Sequence, residues 1–165
     1  REDGERTGRK LKRYMLLSII ILLAITIPLI ISFSRPTAAE PTVEEKIDKI
    51  IRKIFRDSKH TAPDTPQYKA FTWLKGYHIS MKDIVDRKVL VQYALSTLYY
   101  SSKGSDWTER ENWLDLIDLK DDCKWYGVEC ADDKVIRLLL PNNNVEGVIP
   151  LEVSTMTDLI ELDLS

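Results

Sequence analysis

Two cysteines and two histidines among 165 residues leave little material for nucleophilic, redox or metal chemistry. His60 and His78 stand apart from each other, and neither lies near a Ser or Cys in a nucleophile motif. Structural zinc requires four ligands at recurring spacings, which Cys123 and Cys130 with two distant histidines do not supply. There is no Cys-x-x-Cys redox pair, no glycine-rich phosphate loop and no Asn-x-Ser/Thr sequon, so N-glycosylation is not expected within this stretch. The acidic pairs Asp121-Asp122 and Asp132-Asp133 flank the cysteines without the alternating oxygen ligands of a calcium loop, and read as solvated turn residues. These absences predict no enzyme activity and no cofactor. A net charge of −2, with no basic surface interleaved with aromatics, likewise argues against a nucleic-acid partner.

What is present begins with residues 14–33, YMLLSIIILLAITIPLIISF, which carry no charge. Twenty helical residues at ~1.5 Å each reach ~30 Å, the thickness of a bilayer's hydrocarbon core, so the stretch is expected to be a transmembrane helix contacting lipid. Pro28 is tolerated in such a helix, and Tyr14 and Phe33 lie where aromatic rings favour the interface. Arg1, Arg6, Arg9, Lys10, Lys12 and Arg13 precede the span, which by the positive-inside rule places residues 1–13 in the cytosol and the remainder on the extracytoplasmic side. The apolar run exceeds a usual signal-peptide core, although Thr37-Ala38-Ala39 offers a cleavage point that would instead release a secreted protein. Because the chain opens on Arg1, further cytosolic sequence is expected upstream.

Residues 34–66 read as a linker and stalk. Val43, Ile47, Ile50, Ile51 and Ile54 recur at helical spacing, and Thr42 with Glu45 matches a capping box. Such a helix either rests on the next domain or self-associates weakly; fewer than two heptads favours the first. Pro63 and Pro66 break it. Beyond lies a short helix with Phe71, Trp73 and Leu74, then a start signal at Ser80 and Asp83, with Ile84, Val91, Ala94, Leu95 and Leu98 on one stripe. Trp107, Trp113, Leu114 and Leu116 follow in an irregular stretch expected to fill the gap between helices and what succeeds them.

What succeeds them is periodic. Val135, Leu138 and Leu140 are matched at a constant spacing by Leu159, Leu162 and Leu164, with Asn143 and Gly147-Val148-Ile149-Pro150 between, the pattern of a leucine-rich repeat. Alternate leucines of each strand then point inward, and the asparagine amide bonds backbone groups left open where the chain bends.

CKWYGVEC followed by VIRLLLPNNNVEGVIP resembles the amino-terminal cap and first repeat of plant-type leucine-rich repeat receptor-like proteins. The cap motif of that family, Cys-x-Trp-x-Gly-Val-x-Cys, is matched by Cys123, Trp125, Gly127, Val128 and Cys130. The upstream segments AFTWL, QYALSTLYYSS and NWL are similar to the longer caps of single-pass leucine-rich repeat proteins of diatoms and related algae. The resemblance implies an α/β fold: a leucine-rich repeat solenoid start, with a helical cap over 67–134 and the first repeat and part of a second over 135–165. It also implies a Cys123–Cys130 disulfide that pins Trp125 and Val128 over the exposed end of the solenoid. Plant receptor-like kinases place the repeats before the membrane span, the reverse of the order here, so any cytosolic effector is expected upstream of Arg1. A leucine-rich repeat array generally needs at least ~3 repeats, so the repeats are expected to continue past Ser165. The expected function is recognition of a protein, peptide or glycan on the concave sheet, where Arg137, Leu139, Glu161 and Asp163 point outward.

Overall fold

The computed structural model describes residues 13–27, 40–78, 85–115 and 121–165. They fall in two compact units, Arg1–Glu40 and Pro41–Ser165.

In the first unit, residues 13–27 are helical (α1). Its two hydroxyls are satisfied along the helix itself, Ser18 donating to the Met15 carbonyl at 2.8 Å and Thr26 to that of Leu22 at 2.9 Å. The helical residues described there extend only about 22 Å, short of a ~30 Å hydrocarbon core. Residues 28–33 of the expected span lie outside the described residues. Among the described residues no helix is long and apolar enough to cross a membrane. The single-pass placement, with its cytosolic tail, lipid contact and extracytoplasmic remainder, is corrected accordingly.

The second unit starts with α2, Val43–Ile54. Its capping box forms: the Glu45 N–H donates to Thr42 Oγ1 at 3.2 Å and the Thr42 N–H donates to Glu45 Oε2 at 2.8 Å, satisfying two of the orphan donors at a helix start. Ile47, Ile50 and Ile51 turn into the core of the same unit, and Phe55 caps the carboxyl end. A 3-10 turn, Lys59–Thr61, leads to α3, Pro66–His78. Proline suits the first helical position, where its missing N–H costs nothing. Thr65 Oγ1 supports that start by accepting the Tyr68 N–H at 3.1 Å.

Helix α4, Asp86–Ser101, is the centre of the unit. The expected single stripe on it is too narrow: Val89 and every residue from Val91 to Leu98 are buried, so the helix is enclosed on all sides. Burying Ser96 and Thr97 is tolerable because their hydroxyls donate to the carbonyls of Gln92 and Tyr93, each at 2.6 Å. Residues 79–84, with the expected start at Ser80 and Asp83, lie outside the described residues, as does Leu116; the observed helix is preceded by Val85 without a side-chain cap.

Strands β1 (Val128–Ala131), β2 (Lys134–Leu139) and β3 (Glu161–Asp163) form one sheet in that order. β1 and β2 are an antiparallel hairpin, whose two-residue turn, Asp132-Asp133, has both φ angles positive, as the right-handed twist of hairpins favours. The register slips between Glu129 and Cys130, leaving Ile136 as an extra residue on β2. That bulge explains the unequal spacing of Val135, Leu138 and Leu140, which a regular strand could not turn to one side but which are all buried here. β2 and β3 are parallel, Leu138 opposite Leu162.

The expected solenoid is corrected on this point. A solenoid stacks equivalent parallel turns, whereas the described residues hold a single parallel step, flanked by an antiparallel strand and packed with helices as a mixed helix-and-sheet unit.

Candidate functional site

The outward face of the sheet is built by register. β1, β2 and β3 bring Glu129, Arg137 and Glu161 side by side on one rung, and the next rung pairs Leu139 with Asp163. The Arg137 guanidinium bridges the row, with Nη1 3.0 Å from Glu129 Oε2 and Nε 3.0 Å from Glu161 Oε2. The Asp163 carboxylate accepts the Ser165 N–H at 3.0 Å, and this backbone hydrogen bond holds its carboxyl below the usual range. All four residues singled out in the sequence therefore lie on adjacent rungs. Glu129 was not among them, although its place between inward Val128 and the disulfide Cys130 marks it as outward on a neighbouring strand.

Exposed pairs of this kind contribute only ~0–1 kcal/mol each, because water screens them and holding long side chains costs entropy. An incoming charged group can therefore exchange for them at little cost. With Glu129, Glu161 and Asp163 against Arg137, the row has an excess of negative charge and suits a ligand carrying basic groups.

The support beneath the face is aromatic. Cys123 and Cys130 are disulfide-bonded, their Cα atoms 5.6 Å apart. The loop they close carries Trp125, 2% exposed, which tilts against Trp113 at 4.9 Å and meets Trp73 edge-on at 5.6 Å. Trp107 meets Trp113 at 4.8 Å. The indole N–H groups of Trp73, Trp107 and Trp113 donate to the carbonyls of Leu114, Ser102 and Tyr126. Gly127 within the loop has φ +77°, and a Cβ there would run into the Leu139 carbonyl, so the turn accepts only glycine without strain. Its own carbonyl accepts the Leu139 N–H at 2.7 Å, tying the loop to β2.

Asn143 is 2% exposed and joins this support to the next turn of chain. Its Oδ1 accepts the Glu109 N–H at 2.6 Å and its Nδ2 donates to the Glu109 carbonyl at 2.8 Å, so one amide satisfies both backbone groups of a single residue in the irregular stretch. The partner is the segment before the sheet, which periodicity alone did not identify.

Elsewhere, His60 is wholly buried, its Nε2 2.7 Å from Asp48 Oδ1 and its ring edge-on to Phe71. It serves to dock the 3-10 turn on α2. Asp122 is buried beside Lys88, whose Nζ is 3.4 Å away, rather than placed among metal ligands. Among the described residues no three His, Cys, Asp or Glu side chains come together in a way that could hold a metal ion.

No protein-family model matches the chain, and no solved structure matches it. Over 87 residues it is 31% identical to a probable leucine-rich repeat receptor-like protein kinase of Arabidopsis thaliana. The match covers 47% of this chain and 9% of the relative's length, and thus shows a loose relationship to leucine-rich repeat proteins.

Proposed function

We propose that this chain is a receptor-like recognition module that binds a protein, peptide or glycan through the outward sheet face and performs no chemistry itself. The observation that carries this is the row Glu129–Arg137–Glu161, with Leu139 and Asp163 on the next rung: exchangeable charges around an aliphatic side chain, on a sheet fixed from behind by a disulfide and buried indoles. Rigid backing matters because ordering a loop at the moment of binding would subtract from affinity. The acidic excess favours a ligand with lysine, arginine or amino-sugar groups. The resemblance to receptor-like proteins points the same way.

The test is a screen of the 165-residue chain against peptide and glycan arrays, followed by charge reversal. Glu161→Lys together with Asp163→Lys is expected to weaken a captured basic ligand at least tenfold, about 1.4 kcal/mol, and Lys124→Ala, in the cysteine loop, to leave it unchanged. Equal affinity for all three proteins would refute the assignment of this face.

A further inference from the structure

On a different part of the unit, the end of α2, the start of α3 and the 3-10 turn Leu151–Thr155 enclose a cavity of about 610 Å³. This lies within the ~300–1,000 Å³ range of small-molecule sites. Ile54, Phe55 and Leu151 supply apolar surface, Glu152 supplies a buried carboxylate, and Arg56, Asp57 and Lys59 place charges at the exposed rim.

Glu152 is the anomaly. It is 4% exposed, yet its carboxylate has no cationic partner among the described residues. Its side-chain hydrogen bond is a long one, 3.4 Å from Gln67 Nε2 to Oε2. A carboxylate withdrawn from water without a counter-ion is costly. Its charge is felt next door: burial raises the Tyr93 phenol's pKa, the Ser58 bond opposes that rise, and Glu152's negative charge adds to it. The Tyr93 hydroxyl shares a 2.9 Å hydrogen bond with Ser58, whose side chain also lines the cavity.

We propose that this cavity binds a primary ammonium group carried on an apolar body, with Glu152 as its counter-ion. Gln67 occupies one carboxylate oxygen, which leaves a single-oxygen contact; this suits the compact ammonium and disfavours a guanidinium, whose planar fork demands both oxygens. The remaining ammonium protons find acceptors among the cavity's hydroxyl and carbonyl groups, and the carbon body lies on Ile54 and Leu151, which are 51% and 73% exposed. Arg56 and Lys59 with Asp57, all exposed at the cavity, give its rim one net positive charge beside Glu152, which disfavours a polycation, so the ligand carries one positive charge. A free amino acid and the amino terminus of a peptide both present this chemistry. The site is independent of the sheet face.

The experiment is a titration of the isotopically labelled 165-residue chain followed by NMR, with leucinamide as probe and N-acetyl-leucinamide, which lacks the charge, as control. Leucinamide is expected to shift the amide signals of Ser58, Gln67 and Glu152 and to saturate at millimolar concentration, and the acetylated control to leave them in place. Glu152→Gln should weaken binding at least tenfold. Leu151→Ala, a change at an exposed side chain that spares the core, should weaken it about threefold through lost apolar contact. Leucine and the peptide Leu-Gly-Gly distinguish the two sources by which binds more tightly. Equal binding of probe and control, no saturation by about 10 mM (a site with a Kd of ~1 mM would be about nine-tenths saturated there), or unchanged affinity in Leu151→Ala would each overturn the proposal.

Discussion

Replacing Asn143 tests how the irregular stretch is held to the sheet. In Asn143→Ala both side-chain bonds to Glu109 disappear, the 2.6 Å bond from its N–H and the 2.8 Å bond to its carbonyl. Each is worth ~0.5–1.5 kcal/mol net, and the small void left by the amide adds to the loss, so the expected destabilisation is about 2–3 kcal/mol. The backbone bond from the Thr108 N–H to the Asn143 carbonyl, at 3.4 Å, is not removed by the change and does not enter the figure. Urea titration read by tryptophan fluorescence gives the free energy, provided the slope of the transition is unchanged. Hydrogen exchange gives the location: the Glu109 amide should exchange faster in the variant under native conditions, whereas amides of α4 should respond only to the global change. Asn143→Asp supplies the discriminating control. As a carboxylate it still accepts from the Glu109 N–H but sets a second oxygen against the Glu109 carbonyl, so it should be no more stable than alanine at pH 7. On protonation it regains a donor, and the deficit relative to the parent should narrow as pH falls. A loss below about 0.5 kcal/mol in Asn143→Ala, or a Glu109 amide that exchanges at the parent rate, would refute the role assigned to this amide.

Other outcomes follow from the same geometry. Opening the disulfide with reductant, or by Cys123→Ser with Cys130→Ser, should cost ~2.5 kcal/mol from the loop entropy of eight residues, and added reductant should then have no further effect on the double variant; an unchanged urea midpoint would contradict this. Gly127→Ala should lower stability by at least ~2 kcal/mol, since it combines a left-handed backbone with a collision at the Leu139 carbonyl, and a neutral result in thermal melts would remove the glycine requirement. Burial tends to raise the Asp48 carboxyl's pKa, but the hydrogen bonds and charges of His60 and Arg52 outweigh it and leave the pKa below its ordinary value. The stability this provides is present above the unfolded pKa of ~3.9 and is lost as pH falls through the lower folded value. Asp48→Asn should therefore flatten the acid limb of a stability profile below about pH 4, and a limb of undiminished slope would count against the pairing.

Local chemistry was readable where one or a few neighbouring residues decide it. Thr42 and Glu45 form the box their spacing announced, and the matched spacing of Val135, Leu138, Leu140 with Leu159, Leu162, Leu164 became the register of β2 on β3. The bulge at Ile136 was latent in that spacing, since a step of three positions from Val135 to Leu138 followed by a step of two to Leu140 breaks a regular alternation. Long-range pairing was not readable. His60 looked like part of a linker because its partner, Asp48, lies on the preceding helix, and Glu152 was not singled out in the sequence because the walls that bury it come from distant segments. The full enclosure of α4 was hidden for a related reason: Ser96 and Thr97 read as polar, yet they satisfy their hydroxyls on their own helix and so can face the interior. The uncharged run of residues 14–33 and the leucine period both measure composition along the chain; neither measures how far a helix extends or how many turns stack, and these are the points on which structure and expectation part.

The contact chain from Trp107 through Trp113 and Trp125 to Trp73 also has an optical consequence. Indoles this close share excitation, so emission from the folded protein should be strongly depolarised and its near-ultraviolet dichroism should show coupled bands of opposite sign. Since the chain holds four tryptophans and all belong to this relay, any event that parts one ring from the next becomes visible without an attached dye.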